Sequence, residues 1–294
     1  QATDLGVFAD HDSTPGFERD FVRVVKDFFH SELYLRKDGK LVRVDVPTDS
    51  DTEMEREWML VRTRSPWVVG GTTYATGALV ATRFDDFMAG KRDFIVLFKP
   101  DAHTSMSSWS WTKHHVILDI LDDVKSRLEV LTPQPGDWKR EPLEGAPAMS
   151  TIEVVDTDPD NSDEYWLDIA GFLTPSTLQR GVLGEGEAAT IKQVPAFFDA
   201  SKFEVSQHFV ASKDGTRVPY FEVAPKGIQL DGSNRTLLYG YGGFNVSEQP
   251  FYSGSVGRAW LERGGVYVVA NIRGGGEYGP DWHNAALKAN RPRA

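Results

Sequence analysis

Val266-Tyr267-Val268-Val269-Ala270-Asn271-Ile272-Arg273-Gly274-Gly275-Gly276-Glu277-Tyr278-Gly279 opens as a continuous apolar run and ends in a glycine-rich loop. An unbroken run of β-branched and aromatic residues reads as a strand buried on both faces, the habit of parallel sheets. Upstream, Thr236-Leu237-Leu238-Tyr239 is a second apolar strand, and it too runs straight into glycines, Gly240-Tyr241-Gly242-Gly243-Phe244-Asn245. Between the two, Val256 to Arg263 can form a short helix ended by Gly264-Gly265. Pro280 then sits where a helix can start, ahead of Asp281 to Ala289. Strand, loop, helix, strand, loop, helix is the order of an α/β sheet. A hairpin precedes it, Phe203 to Ser212 and Thr216 to Ala224, around Lys213-Asp214-Gly215.

Up to about Pro195 the character is different: short strands separated by turn residues. Leu33-Tyr34-Leu35-Arg36, Asp38-Gly39 and Leu41 to Val46 make a hairpin with period-two alternation and an Asp-Gly suited to a type I′ turn. Trp58-Met59-Leu60-Val61, Trp67-Val68-Val69, Ala78 to Ala81 and Phe94 to Phe98 form one further group. Ser108 to Trp111, Val116 to Leu121 and Arg127 to Leu131 form the next, and Ile152 to Val155, Tyr165 to Ile169 and Thr177 to Arg180 another. The groups recur at roughly 45 residues, the size of a propeller blade, which gives about four blades. A β-sandwich uses equally short strands and stays open on pattern alone. The fold class expected is therefore mixed: a partial β-propeller over residues 1–195, then the start of an α/β domain over 196–294, with the boundary between Gln193 and Phe203.

Composition narrows the classes of function. The net charge is −11, which argues against a general nucleic-acid binder, whose affinity depends on basic residues neutralising phosphates. There are no cysteines, so disulfides, thiol nucleophiles and Cys-based zinc sites are excluded together. Eight Trp, nine Tyr and seventeen Phe supply core material and argue against disorder. No apolar run reaches the length of a membrane span. The first residues, Gln1-Ala2-Thr3-Asp4, carry neither an initiator Met nor a signal pattern, which reads as a beginning inside something longer. The compartment stays open between cytoplasm and periplasm.

The two glycine loops are the candidate chemistry. Glycines after a strand let backbone N–H groups crowd a ligand, although a tight turn needs them for geometry alone. Gly274, Gly276 and Gly279 formally match a dinucleotide fingerprint. Their strand is not the first of its sheet, which counts against that reading. His114-His115 lie adjacent on an expected strand and so point to opposite faces, a poor arrangement for shared metal ligation. Asp156, Asp158 and Asp160 have the spacing of a calcium loop, but Asn161 and Leu167 stand where Gly and Glu are needed. Neither a metal nor a cofactor is expected. Asn234-Arg235-Thr236 and Asn245-Val246-Ser247 are formal glycosylation sequons that matter only in a secreted eukaryotic protein.

Tyr239 to Asn245, Val269 to Gly279 and Trp282-His283 together resemble the prolyl oligopeptidase family of serine peptidases. Ser212-Lys213-Asp214-Gly215-Thr216 with Val218-Pro219 is similar to the hairpin that opens the family's peptidase domain, and Phe198-Asp199-Ala200-Ser201 to its inter-domain crossover. Asp122 to Leu128 and Phe172-Leu173-Thr174-Pro175 resemble its later blades. The resemblance implies a seven-bladed propeller capping an α/β-hydrolase domain. It also implies cleavage of short peptides, typically after proline, by a Ser-Asp-His triad. Tyr241 then matches the tyrosine whose hydroxyl supplies one oxyanion-hole donor, and Phe244 the aromatic lining the pocket beside the proline site. Such a donor stabilises charge that develops in the transition state, and an aromatic face binds apolar side chains.

One departure limits this reading. The family's nucleophile lies in a Gly-x-Ser-x-Gly elbow, and the chain has none. Ser253-Gly254-Ser255-Val256-Gly257 comes closest, but Ser253 occupies the first glycine position and the stretch precedes a helix instead of following a later strand. The expectation is an internal piece of a serine oligopeptidase, inactive alone, whose parent is a monomer acting on short peptides without nucleic acid or membrane. The alternatives are a propeller-type binding module and a related acylaminoacyl peptidase or esterase.

Overall fold

The computed structural model describes residues 4–143, 145 and 147–294. The chain divides into two compact units, Gln1–Pro100 with Gln134–Trp138, and Asp101–Pro133 with Lys139–Ala294.

The first unit holds two four-stranded antiparallel sheets. One is a meander of β1 (Gly6–Asp12), β2 (Arg19–Val25), β3 (Ser31–Lys37) and β4 (Lys40–Arg43). The β3–β4 turn is the one read from Asp38-Gly39, and both residues take positive φ, 50° and 74°, as a type I′ turn requires. The next sheet begins with β5 (Asp51–Glu55) and β6 (Trp58–Arg62), and after a side hairpin it is completed by β9 (Leu79–Arg83) and β10 (Ile95–Phe98). The side hairpin, β7 (Trp67–Val69) and β8 (Thr72–Tyr74), corrects the sequence reading, which counts Trp67-Val68-Val69 as a blade strand. Gly70-Gly71, at φ 58° and 78°, folds this segment back on itself before it can join the sheet. Trp67 and Tyr74 then pack their rings on Phe94, at 5.0 and 5.6 Å between centroids. The blade position goes to β5, whose Asp-Thr-Glu-Met-Glu sequence hides a strand in which only Thr52 is buried. A short helix, α1 (Phe84–Met88), follows β9 and buries Phe84 and Phe87 in the core formed by Phe21, Leu33, Met59, Val61 and Val80.

The second unit holds two more such sheets. They are β11 (Thr104–Trp111), β12 (Val116–Asp122), β13 (Lys125–Thr132) and β14 (Lys139–Leu143), then β15 (Ser150–Thr157), β16 (Glu164–Gly171), β17 (Thr177–Val182) and β18 (Ala189–Gln193). Strand β12 is buried from Val116 through Leu121, on both faces, which is why its sequence, Asp119 apart, is apolar without alternation. Strand β16 alternates strictly, with Tyr165, Leu167 and Ile169 inward. These inward residues meet Ile117, Leu128 and Ile152 in one core. Four separate four-stranded sheets, starting at Gly6, Asp51, Thr104 and Ser150, are propeller blades and not the two packed sheets of a sandwich.

His114 and His115 are not on a strand. Both lie in the turn between β11 and β12, where Asp163 accepts the His114 N–H at 2.8 Å and meets its Nδ1 at 2.8 Å. His115 Nδ1 pairs with Thr132 Oγ1 at 2.8 Å. Asp158 closes its own turn by accepting from the backbone N–H and Nδ2 of Asn161.

After β18 the segment Val194–Asp199 carries the chain to a fifth sheet, of β19 (Phe203–Ala211), β20 (Arg217–Pro225), β21 (Thr236–Gly240) and β22 (Val266–Ala270). Its spatial order is β19-β20-β22-β21; β20 and β22 are antiparallel, β21 and β22 parallel. Helix α2 (Gly254–Ala259) precedes β22, and α3 (Pro280–Asn284) follows it with Pro280 in its first turn. Phe198 of the crossover stacks on Tyr252 at 5.3 Å. It joins a core of Val124, Phe172, Phe203, Phe221, Val223, Leu261, Tyr267 and Val269. This core ties the antiparallel sheets of the second unit to its mixed sheet.

Asp119, on β12, is buried, and one of its carboxyl oxygens has no hydrogen-bond partner. Burial pushes its pKa up to about 7. The folded chain therefore holds a proton there that the unfolded chain releases near pH 4. Stability from this group is full below pH 4, declines as pH rises to about 7 and is flat above, a loss on the order of 4 kcal/mol. Asp119→Asn keeps the neutral shape, so thermal unfolding is expected to show a gain of several degrees at pH 8 and little change at pH 4. An equal gain at both pH values would contradict this account.

Candidate functional site

The loops that follow β21 and β22 cross each other at backbone distance. A Cβ added to Gly274 would lie 2.4 Å from the Gly242 carbonyl oxygen, and one added to Gly242 would lie 2.4 Å from that of Arg273. Gly274 also has φ 101°, outside the range of other residues. The glycines are thus there to bring the two loops together. The Gly276 N–H donates to Val246 O at 3.1 Å, Arg291 donates to Gly242 O, and the Trp282 ring N–H donates to Ile272 O at 3.1 Å. His283 Nδ1 lies 3.1 Å from the Asn245 nitrogen and 2.5 Å from Gly274 O.

Tyr241 and Phe244 ride on this braced loop. The Tyr241 ring folds back over Gly243, where an added Cβ would lie 2.8 Å from the phenolic oxygen. Tyr241 is 37% exposed and Phe244 62%. Phe244 and Asn245 form a tight turn closed by Val246 N–H to Gly243 O at 3.0 Å, with φ 52° and 60°. A bulky residue in the left-handed region is strained, and such strain gathers at functional sites. Nothing in the residue string signals that conformation.

Beneath the loop lies a buried polar layer contributed by the segment after β22. Asn271, Arg273, Glu277 and His283 are all buried. Arg273 reaches the β19–β20 turn, donating to Asp214 at 2.5 Å, Thr216 Oγ1 at 3.0 Å and Ser212 Oγ at 3.1 Å. The Arg273 bond, with the Thr216 backbone N–H second, holds the Asp214 carboxyl well below the usual carboxylate range. Burial pushes Glu277 up to about 7. The Glu277 carbonyl accepts from Ser105 Oγ at 2.8 Å, and the Tyr278 hydroxyl donates to Asp123 at 2.8 Å. Burial, with this bond second, raises the Tyr278 phenol. Gln207 Nε2 donates to the Asp123 carbonyl at 2.5 Å. The tip of the β12–β13 hairpin is thereby pinned to the mixed sheet.

Residues 253–292 match the model of the prolyl oligopeptidase family. An uncharacterised peptidase of Sinorhizobium fredii is 39% identical over 275 residues, which cover 91% of this chain and 38% of the relative. A prolyl endopeptidase of Elizabethkingia miricola is 39% identical over 128 residues, 44% of this chain and 18% of the relative. The solved structure of a post-proline cleaving enzyme from Rickettsia typhi superimposes with a TM-score of 0.89 at 29% identity, covering 99% of this chain and 43% of that one.

The chain belongs to the prolyl oligopeptidase family. It spans about two fifths of the length of the relatives that it matches from end to end. Its four antiparallel sheets are propeller blades of that family, and the family's members are serine peptidases. Tyr241 and Phe244, singled out from the sequence, lie within one loop. Asn271, Arg273 and Glu277 were legible only as parts of a motif, although polar residues directly after a buried apolar strand are a signal of buried partners. Ser253 and Ser255 do not form a nucleophile elbow. Ser253 caps α2, its Oγ accepting the Val256 N–H at 3.3 Å, and the two serine oxygens lie 3.1 Å apart.

Proposed function

We propose that these residues form the substrate-facing loop of a longer serine oligopeptidase that cleaves short peptides after proline. The observation that carries this reading is the Tyr241–Phe244 pair on a loop braced at backbone distance, with Phe244 held outward in a left-handed conformation. Residues 196–294 are read as the opening of an α/β-hydrolase domain and 1–195 as part of its propeller. Two features support the α/β-hydrolase reading: the parallel β21/β22 pair, and the position of this loop after the third strand of its sheet, where such enzymes draw part of the oxyanion hole. The names of the relatives, a prolyl endopeptidase and a post-proline cleaving enzyme, support the substrate class.

In this mechanism a serine outside these residues attacks the scissile carbonyl while a histidine takes its proton, and an aspartate orients the histidine. The Tyr241 hydroxyl donates to the oxyanion that forms, and the backbone N–H beside the serine supplies the second bond. Phe244 lines the pocket for the residue on the acyl side. Collapse of the intermediate expels the amine, and water releases the acyl group. The parent is read as a monomer.

The present chain is expected neither to hydrolyse a proline-containing reporter peptide nor to react with a fluorophosphonate, since it has no Gly-x-Ser-x-Gly elbow to activate a serine. Stoichiometric labelling of any serine, Ser255 included, would overturn this. The longer protein should both cleave the reporter and label at one serine. Labelling together with cleavage of acylated peptides or esters only would redirect the substrate assignment.

A further inference from the structure

Glu277 is completely buried, with 0% exposure, yet among the described residues its carboxyl hydrogen-bonds to neither Tyr241 nor Phe244. Its Oε1 accepts the backbone N–H of Glu248 at 3.0 Å and Nδ2 of Asn271 at 3.3 Å. Asn271 Nδ2 in turn donates to the Glu248 carbonyl at 2.6 Å. Both backbone groups of Glu248 are therefore held by side chains from the segment after β22. The chain even keeps a glycine to make room for this: a Cβ on Gly275 would lie 2.2 Å from Glu277 Oε2 and 2.8 Å from Val246 O. Burying a carboxyl costs free energy, and a chain keeps one where its hydrogen bonds fix something.

What it fixes is the far end of the loop. Tyr241, at the near end, continues directly from β21, and its neighbour Gly242 is gripped by Arg291. Phe244 and Asn245, in their strained turn, are tethered beyond by the Gly276 N–H on Val246 and by the Glu277–Asn271 clasp on Glu248. We propose that Glu277 is a positioning residue that clasps Glu248 and so holds the Phe244 turn in its outward, substrate-facing conformation. The inference rests on the peptidase reading for its kinetic consequence, but the clasp itself does not.

The test uses the longer protein with Glu277→Gln, Glu277→Ala and, should Ala fail to fold, Glu277→Asp, which withdraws the acceptor by one methylene. Amide hydrogen exchange is the first readout. Loss of the buried acceptor should speed exchange across Asn245–Glu248 by about ten- to a hundredfold in Ala or Asp, with β20 and β22 changing less than about twofold. Glu277→Gln retains an acceptor and should keep the protection. Unchanged loop exchange in Ala and Asp, or an increase spread evenly over the sheet, overturns the proposal. Kinetics on a proline-containing peptide is the second readout. KM should rise about tenfold in Ala or Asp with kcat within about threefold, and Gln should behave as wild type. A fall in kcat at unchanged KM, or a Gln variant as impaired as Ala, overturns the assignment to Phe244. If the wild type cleaves no peptide, the peptidase reading fails, and the exchange data still decide whether Glu277 holds the loop.

Discussion

Tyr241→Phe, made in the longer peptidase proposed here, is expected to lower kcat by about 10²–10³, equivalent to about 3–4 kcal/mol, with KM nearly unchanged. The variant keeps the ring that covers Gly243 and removes only the hydroxyl. That hydroxyl makes no hydrogen bond to another side chain or backbone group among the described residues, so no structural bond is lost with it. The loss falls on kcat because a carbonyl uses an oxyanion donor little in the ground state and strongly once negative charge forms. Phe244→Ala is the control with the opposite signature. Its apolar face contacts substrate and transition state alike, so KM should rise while kcat holds. Steady-state kinetics on the two variants separates the roles. A raised KM at unchanged kcat for Tyr241→Phe would make the tyrosine a binding residue.

Phe221→Ala is expected to destabilise the second unit by about 3–5 kcal/mol, the usual cost of emptying a buried aromatic site. Phe221 is fully buried on β20, 5.6 Å from the ring of Phe172, which follows β16. Val124, Phe198, Phe203, Val223 and Tyr267 complete the core. These neighbours come from blades, crossover and mixed sheet, so the cavity weakens contacts among all three. Denaturant unfolding of the second unit should therefore show one transition moved to lower denaturant, with the blade tryptophans and Trp260 and Trp282, which flank the mixed sheet, reporting the same midpoint. A mixed sheet that melts alone, leaving the β11–β18 blades at their original midpoint, would show that this core does not couple them.

Much of this architecture was legible because local chemistry and tertiary demand agree. The Asp38-Gly39 turn, the strict alternation of β16 and the apolar stretches of β12 on either side of Asp119 each state their burial in the residue string. The readings that changed share one cause. Trp67-Val68-Val69 looks like a blade strand, but Gly70-Gly71 and the Phe94 ring draw it into a side hairpin. His114-His115 read as part of a strand, but Asp163 and Thr132, distant in sequence, fasten them into a turn. Thr236 to Tyr239 reads as an apolar strand, yet β21 is exposed along its whole length, with Leu238 at 67%. It pairs with β22 only, so one of its edges has no neighbour among the described strands.

The candidate site divides along the same line. Sequence by itself determined the order of strands and glycine loops, the absence of a nucleophile elbow, and the two aromatic residues that matter for the proposed chemistry. The order of elements and the missing elbow follow from residue type and spacing, which act between near neighbours along the chain; the two aromatic residues follow from the resemblance to the prolyl oligopeptidase family. Only the tertiary structure decided that Gly242 and Gly274 meet, that Phe244 is forced into the left-handed region, and that Arg273 and Glu277 are buried beneath the loop with partners in other segments. A charged side chain can be buried only where hydrogen bonds from elsewhere in the fold replace its water, and those partners do not exist until the two loops have crossed.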